Sequence, residues 1–231
     1  MTLPVLYEAA DFVIVDKPSG LAVHRGEPGL DSDRDWVVQR VRNQFRRYVW
    51  PVHRLDRPTS GCLLLTFDPG LVEPLATALR DGRKSYLAAV RGVIEDRDWT
   101  AITSPMRDPT GDKVAHTDVL PLASRPEPRC SAVLARPRSG RYHQVRRHLR
   151  DRDHPVLGDT SHGDGRVNRT WRERGLTRLA LHCCEILLEL PTGRVVASSP
   201  LPDDLRTPFA DLGLWEEALE RIDATTLDRA G

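Results

Sequence analysis

The chain has 231 residues, enough for one large domain or two small ones, and a formal charge of only +1, from 34 basic against 33 acidic residues. Net charge alone therefore names no polyanionic partner, and nothing in the length demands an oligomer, so a monomer is expected. Cys62, Cys130, Cys183 and Cys184 form no CxxC pair and read as reduced, buried thiols. No window approaches a membrane span, and no charged leader precedes an apolar run at Met1-Thr2-Leu3-Pro4, so a soluble, cytoplasmic protein with no membrane partner is expected.

In chain order, Phe12-Val13-Ile14-Val15 predicts a buried strand entering a tight turn at Asp16-Lys17-Pro18-Ser19-Gly20, with Leu21 to His24 resuming as a second short strand. Asp35 to Tyr48 carries Trp36, Val37, Val41 and Phe45 at near-helical spacing. Arg40, Arg42, Arg46 and Arg47 lie between them, either as a solvated helix face or as contacts to an RNA backbone. His53-Arg54-Leu55-Asp56-Arg57-Pro58-Thr59-Ser60-Gly61 is a turn rich in charge and breakers that runs into the apolar strand Cys62 to Phe67. An isolated loop Asp of this kind caps its own turn.

Leu71 to Arg80 reads as a helix, and Lys84 to Gly92 as a strand carrying Tyr86. Residues 99 to 122 predict two strands around a turn at Asp108-Pro109-Thr110-Gly111, and Cys130 to Ala135 another strand. In Arg138 to Leu149, Tyr142, Val145 and Leu149 fall at i, i+3 and i+7, the spacing of a buried helical stripe, with His143 and Arg146 on an adjoining face and Arg147 turned to solvent. Asp153 to Gly165 is a turn-rich loop. Leu179 to Leu188 reads as a central strand, and Pro191-Thr192-Gly193 turns it into a hairpin. Thr207-Pro208 starts a closing helix with Phe209, Leu212, Trp215, Leu219 and Ile222 as its apolar stripe, and the last few residues are expected to fray.

Charge is unevenly spread. Residues 136 to 178 hold twelve Arg and no Lys against five acids, whereas residues 203 to 231 hold three Arg against eight acids. A basic middle with an acidic tail suits either a nucleic-acid footprint or a solvated basic face. Only Lys17, Lys84 and Lys113 are lysines, and the guanidinium fork of the remaining basic residues matches phosphate and can stack on a base.

Taken together, the motifs resemble the RluA family of pseudouridine synthases. The stretch from His53 to Gly61 resembles its HRLDxxTSG signature, Lys17 to Gly20 its KPxG turn, and Lys84 to Gly92 its KxYxAxVxG strand. Gly140 to Leu149 resembles its GRxHQxRxHL element and His154 to Asp159 its HPxxGD turn. Arg178 with Leu181-His182 resembles its RxxLHA element, except that Cys183 replaces the small Ala. The resemblance spans roughly residues 5 to 208.

What it implies is an α+β fold, a single pseudouridine synthase catalytic domain with a mixed, mostly antiparallel sheet flanked by helices and an active-site cleft. One domain would fill residues 1–231, with a core over about 5–208, a C-terminal helix and tail over 208–231, and no S4-like RNA-binding domain at the N-terminus. The missing module and the His162-Gly163-Asp164-Gly165 stretch resemble the short branch that acts on uridine 65 of transfer RNA. That makes tRNA the expected partner, with ribosomal RNA the alternative.

By the same resemblance Asp56 is the catalytic residue, Tyr86 lies against the target base, Arg146 pairs with Asp56, and Arg54 takes the place of the base once it leaves its stack. His53, Arg57, Thr59, Ser60, Arg141, His143, Gln144 and Arg147 complete the expected RNA-contacting set. Moving C1′ of ribose from uracil N1 to C5 needs no redox step, energy source or metal, so no cofactor is expected. Asp56 would act as a nucleophile at C1′, as a base that gives a glycal, or at uracil C6.

Two other readings compete. One is a metal-dependent phosphodiesterase or nuclease using the His and Asp of residues 143 to 164, among which His154, Asp159, His162 and Asp164 have ligand types that suit a metal but a spacing that matches no recognised site. The other is a non-catalytic RNA-binding module in which Asp56 only braces a loop.

Overall fold

A computed structural model describes residues 2–24, 35–108 and 110–227. Pro109 of the expected turn and the end of the tail after Leu227 lie outside the described residues. In chain order the strands are β1 (Val5–Glu8), β2 (Phe12–Lys17), β3 (Trp50–Pro51), β4 (Ser60–Thr66), β5 (Arg83–Arg91), β6 (Thr100–Ile102), β7 (Met106–Asp108), β8 (Gly111–Lys113), β9 (Thr117–Pro126), β10 (Arg129–Pro137), β11 (Leu181–Leu190) and β12 (Gly193–Ser198). The helices are α1 (Val37–Phe45), α2 (Val72–Asp81), α3 (Gln144–Asp151), α4 (Gly165–Glu173), α5 (Asp203–Arg206) and α6 (Leu214–Leu227). None is long and apolar enough to cross a membrane.

Two compact units result, one from Met1–Lys84 with His182–Pro200, the other from Ser85–Leu181 with Leu201–Gly231. In the first, strands run β1-β2-β4-β11, with β3 on β4 and β12 on β11. Leu63, Leu64 and Leu65 of β4 are wholly buried, as a continuous apolar run predicts for a strand covered on both faces. β2 and β4 are antiparallel, with Lys17 opposite Gly61. β11 runs parallel to β4 and sets His182 beside Ser60, which makes the sheet mixed.

Val37 and Val41, one turn apart, give α1 its buried edge. The strand expected at Leu21 to His24 does not form. Its carbonyls have another use: Ala22 and Val23 accept the N–H groups of Val37 and Val38, donors that the first turn of a helix cannot satisfy internally.

The second unit is an antiparallel sheet in the order β5-β10-β9-β6, with a separate β7–β8 hairpin. Residues 99 to 122 therefore hold four strands where the sequence suggests two; β6, β7 and β8 have only three residues each, too short for alternation to show. Helix α3 begins at Gln144, because His143 has φ 53 and breaks the helical path. Tyr142 consequently leaves the expected buried stripe and is 69 % exposed, while Val145 and Leu149 remain buried.

Helix α4 was not anticipated. Its signal is the capping Asp164, whose Oδ1 accepts the Arg166 and Val167 N–H groups, and its anchor is Trp171, whose ring lies tilted 4.6 Å from that of Phe209. The single closing helix is broken at Gly213 (φ +56) into a 3-10 turn and α6. Arg125 fastens that break, donating to the Leu212 and Gly213 carbonyls and pairing with Glu217.

A close backbone approach falls at Gly61, with φ +108, where an added Cβ would lie 2.1 Å from the Cys183 carbonyl oxygen across the β4–β11 pair. Gly61→Ala is expected to destabilise the fold by at least ~3 kcal/mol, combining left-handed strain with a backbone clash. Urea denaturation checks this, and a variant within 1 kcal/mol of wild type, roughly the spread of ordinary substitutions, would contradict it.

Candidate active site

Asp56 sits on the loop between β3 and β4, partly exposed, flanked by buried Leu55 and exposed Arg54 and Arg57. Its carbonyl accepts the Thr59 N–H and closes the turn. What fixes this loop is Lys17 at the end of β2, a wholly buried ammonium that donates to the carbonyls of Leu21 (2.7 Å), Pro18 (2.9 Å) and Arg57 (3.0 Å). Three further bonds run alongside. Gly20 N donates to Arg57 O, Arg57 Nε returns to Gly20 O, and Ser19 Oγ reaches Pro58 O at 2.8 Å. The Lys17-Pro18-Ser19-Gly20 turn and the Asp56 loop are thereby laced together.

Three residues expected to contact RNA are instead turned inward. His53 Nε2 accepts the Leu64 N–H at 3.1 Å, which places the proton of the neutral ring on Nδ1. Enclosure of the ring, with the Lys84 ammonium adding to it, pushes the His53 pKa down to about 3, so it carries no charge for phosphate near neutrality. Thr59 and Ser60 are buried. Ser60 Oγ bonds His182 Nδ1 at 2.9 Å, and His182 Nε2 bonds Ser199 O at 3.1 Å, so that buried imidazole spans strand and loop. His53 and Ser60 brace the loop, and Arg54 and Arg57 on it are exposed.

In the second unit Tyr86 lies on β5 opposite Ala135 of β10 and is largely buried. Arg146, on α3, is 3 % exposed, and its fork meets Asp159 at both ends, Nε to Oδ2 at 2.7 Å and Nη2 to Oδ1 at 2.8 Å. Burial pushes the Asp159 carboxyl up, but the bonds and charge of Arg146, with the N–H groups of His162 and Ser161, outweigh it and hold the pKa below the usual carboxylate range. Gln144 is a brace too: its amide accepts from Ser139 Oγ and Arg141 N and donates to His116 O and Thr117 Oγ1, which uses its full hydrogen-bonding capacity.

His143 stacks on Tyr142 at 3.7 Å, and its Nδ1 lies 2.9 Å from His162 Nε2. Burial lowers the His162 pKa against the pull of Asp159, with the Arg146, Arg150 and Arg147 charges adding to the lowering. Arg141 is exposed and Arg147 half-exposed.

The four residues weighed as metal ligands have other engagements. Asp159 holds Arg146, Asp164 caps α4, His154 Nδ1 meets Arg91 O at 2.9 Å, and His162 meets His143. Among the described residues no cluster of three or more His, Cys, Asp or Glu side chains is placed to hold a metal ion. Sequence reasoning missed two organising residues. Lys17 is signalled as the basic residue that, with Asp16, ends an otherwise apolar strand. Asp159, read as a turn residue, is the partner of Arg146.

A mixed sheet with flanking helices is the fold of solved pseudouridine synthases. The structure of human RNA pseudouridylate synthase domain containing 1 superposes with a TM-score of 0.71 at 25% identity, covering 88% of this chain and 86% of that one. Human RNA pseudouridylate synthase domain containing 4 shares the fold at a TM-score of 0.70. Residues 11–151 match the family model described as RNA pseudouridylate synthase. Two proteins called tRNA pseudouridine synthase C are similar along most of their length. That of Pasteurella multocida (strain Pm70) is 37% identical, over 83% of this chain and 87% of its own, and that of Vibrio cholerae serotype O1 is 33% identical, over 94% and 98%. The chain belongs to the RNA pseudouridylate synthase family, and its activity is that of an isomerase.

Two outcomes are expected. Lys17→Met leaves the Pro18 and Leu21 carbonyls without this donor and Arg57 O with only the Gly20 N–H, and should cost ~2–4 kcal/mol in urea denaturation, with loss of turnover because the Asp56 loop is no longer tied down. Asp159 has a folded pKa below its unfolded one. Its contribution to stability is therefore present above the ordinary Asp value of about 4 and is lost as pH falls through the folded value. Asp159→Asn should lower stability at pH 7 and flatten the acid limb of the stability profile; an unchanged limb would show that the pair contributes no pH dependence.

Proposed function

We propose that this chain converts a uridine of tRNA to pseudouridine, with Asp56 as its catalytic group and both units serving one catalytic domain. The observation that carries the choice of tRNA is the similarity to proteins named tRNA pseudouridine synthase C, at 33% to 37% identity over 87% to 98% of their lengths. Uridine 65 is the position the sequence resemblance suggests.

In this reading the target nucleotide leaves its stack, at a cost of a few kcal/mol, and exposed Arg54 takes the space it vacates. Ionised Asp56, on a loop already immobilised by Lys17, acts as nucleophile at C1′ or as the base that opens a glycal route. The C1′–N1 bond breaks, uracil turns, C1′ joins C5, and the C5 proton departs as N1 gains one. Tyr86 stacks on the base and assists removal of the C5 proton. Arg146, its fork held by Asp159, pairs with the Asp56 carboxylate and directs it. Arg57, Arg141 and Arg147 reach phosphate, so affinity falls steeply with salt. His53, Thr59, Ser60 and Gln144 support these contacts from within.

Tritium release from tRNA labelled at uracil C5, assayed with EDTA present, tests the reading. Wild type should release tritium, and Asp56→Ala and Asp56→Asn should fall by at least ~100-fold while still binding tRNA. Release by Asp56→Ala at the wild-type rate would remove Asp56 from the chemistry. Release from ribosomal RNA but not from tRNA would overturn the substrate assignment.

A further inference from the structure

The arginines around α1 separate into two kinds. Arg40 is neutralised by Asp35, Nε to Oδ1 at 2.7 Å and Nη2 to Oδ2 at 2.5 Å. Arg42, Arg46 and Arg47 instead gather with Asn43 and Tyr48 around a cavity of about 420 Å³ that no carboxylate lines, and among the described residues none of the three has an acidic partner. Two of the guanidiniums are already ordered. Arg42 lies 4.2 Å over the Tyr48 ring, and Arg47 lies 4.1 Å over Phe67 while donating to Ala10 O at 3.0 Å. Tyr48 is 64 % exposed, with its ring 6.3 Å from that of Trp50.

A helix C-terminus attracts cations, which accounts for one arginine by ordinary means. It does not account for three of them around an acid-free hollow, or for Arg46 occupying a left-handed position (φ 54) that Gly fills without strain. Preordered guanidiniums beside an exposed aromatic face are the combination that holds a phosphodiester and stacks the neighbouring base.

Resting on the proposed function, we infer that this hollow is a second RNA-binding subsite, taking the phosphodiester backbone of the substrate and one unpaired base away from the reacting uridine. Its place in the first unit sets the separation. β3 pairs Trp50 with Thr66, the last residue of β4, whereas the Asp56 loop enters β4 at Ser60. Six residue rises put the two ends of that strand ~20 Å apart. The subsite therefore grips several nucleotides from the target and contributes to affinity and register, not to the chemical step.

The test measures tRNA binding by fluorescence anisotropy across a KCl series, with tritium release in parallel. It compares full-length wild type, the combined Arg42→Gln, Arg46→Gln and Arg47→Gln variant, and Tyr48→Ala. The triple variant should bind at least ~10-fold more weakly, with the salt slope reduced by about 2, a raised KM and an unchanged kcat. Tyr48→Ala should weaken binding by about five- to a hundredfold with its slope unchanged. If the triple variant melts early, Arg46→Gln alone, which stacks on no ring, should lower the slope by about 1. Variants with wild-type affinity and slope would overturn the subsite and leave the proposed function standing. A wild type that neither binds tRNA nor releases tritium would overturn both.

Discussion

The Asp56 loop depends on a buried charge. An ammonium withdrawn from water is tolerated only when its protons find acceptors, and Lys17 supplies three donors to three backbone carbonyls drawn from two segments forty residues apart. Neither segment has regular structure of its own. Without Lys17 the turn after β2 would present unpaired carbonyls at Pro18 and Leu21, and the loop before β4 would lose one of the two donors to Arg57 O; with it, each becomes the other's scaffold. Left-handed Gly20 (φ +82) lets the first loop turn sharply enough to offer both its N–H and its carbonyl to Arg57. The carboxylate of Asp56 thus projects from a loop whose conformation is set by its neighbours and not by its own propensity.

A second buried charge follows the same logic. Arg146 is held in one plane by a carboxylate that itself accepts two backbone N–H groups, from Ser161 and His162. The loop after α3 is shaped to deliver Asp159, and Asn168 of α4 fastens it by donating to the Asp159 carbonyl. The pair's own contribution to stability is modest because two desolvated ions barely break even, whereas the bidentate contact fixes the plane of the guanidinium.

The strands β2, β4, β5, β10 and β11 were legible because their apolar runs are continuous, and α1 because Val37 and Val41 are a turn apart. Legibility fails where a backbone bond decides. Leu21 to His24 is as apolar as a strand, yet its carbonyls cap a helix. Tyr142 has helical spacing, yet left-handed His143 starts the helix after it. The family motifs single out Asp56, Tyr86 and Arg146 by position alone, and burial sorts the other residues of the same signatures. Ser60, Thr59, His53 and Gln144 belong to the same signatures as the exposed arginines and serve the interior.

Charge shows the same limit most clearly. The arginine excess over residues 136 to 178 looks like the RNA footprint, yet acids distant in sequence quench much of it. Asp118 pairs with Arg138, Asp204 with Arg178, and Asp211 with Arg174, and the last two belong to the acidic tail. The tail is therefore not a separate feature but a partial counter-charge to the basic middle. By contrast, Arg42, Arg46 and Arg47 form too short a cluster to stand out in a count, and they meet no carboxylate among the described residues. Screening and desolvation both act on what is spatially adjacent, so an unquenched trio offers a phosphate more than a longer run already paired within the protein.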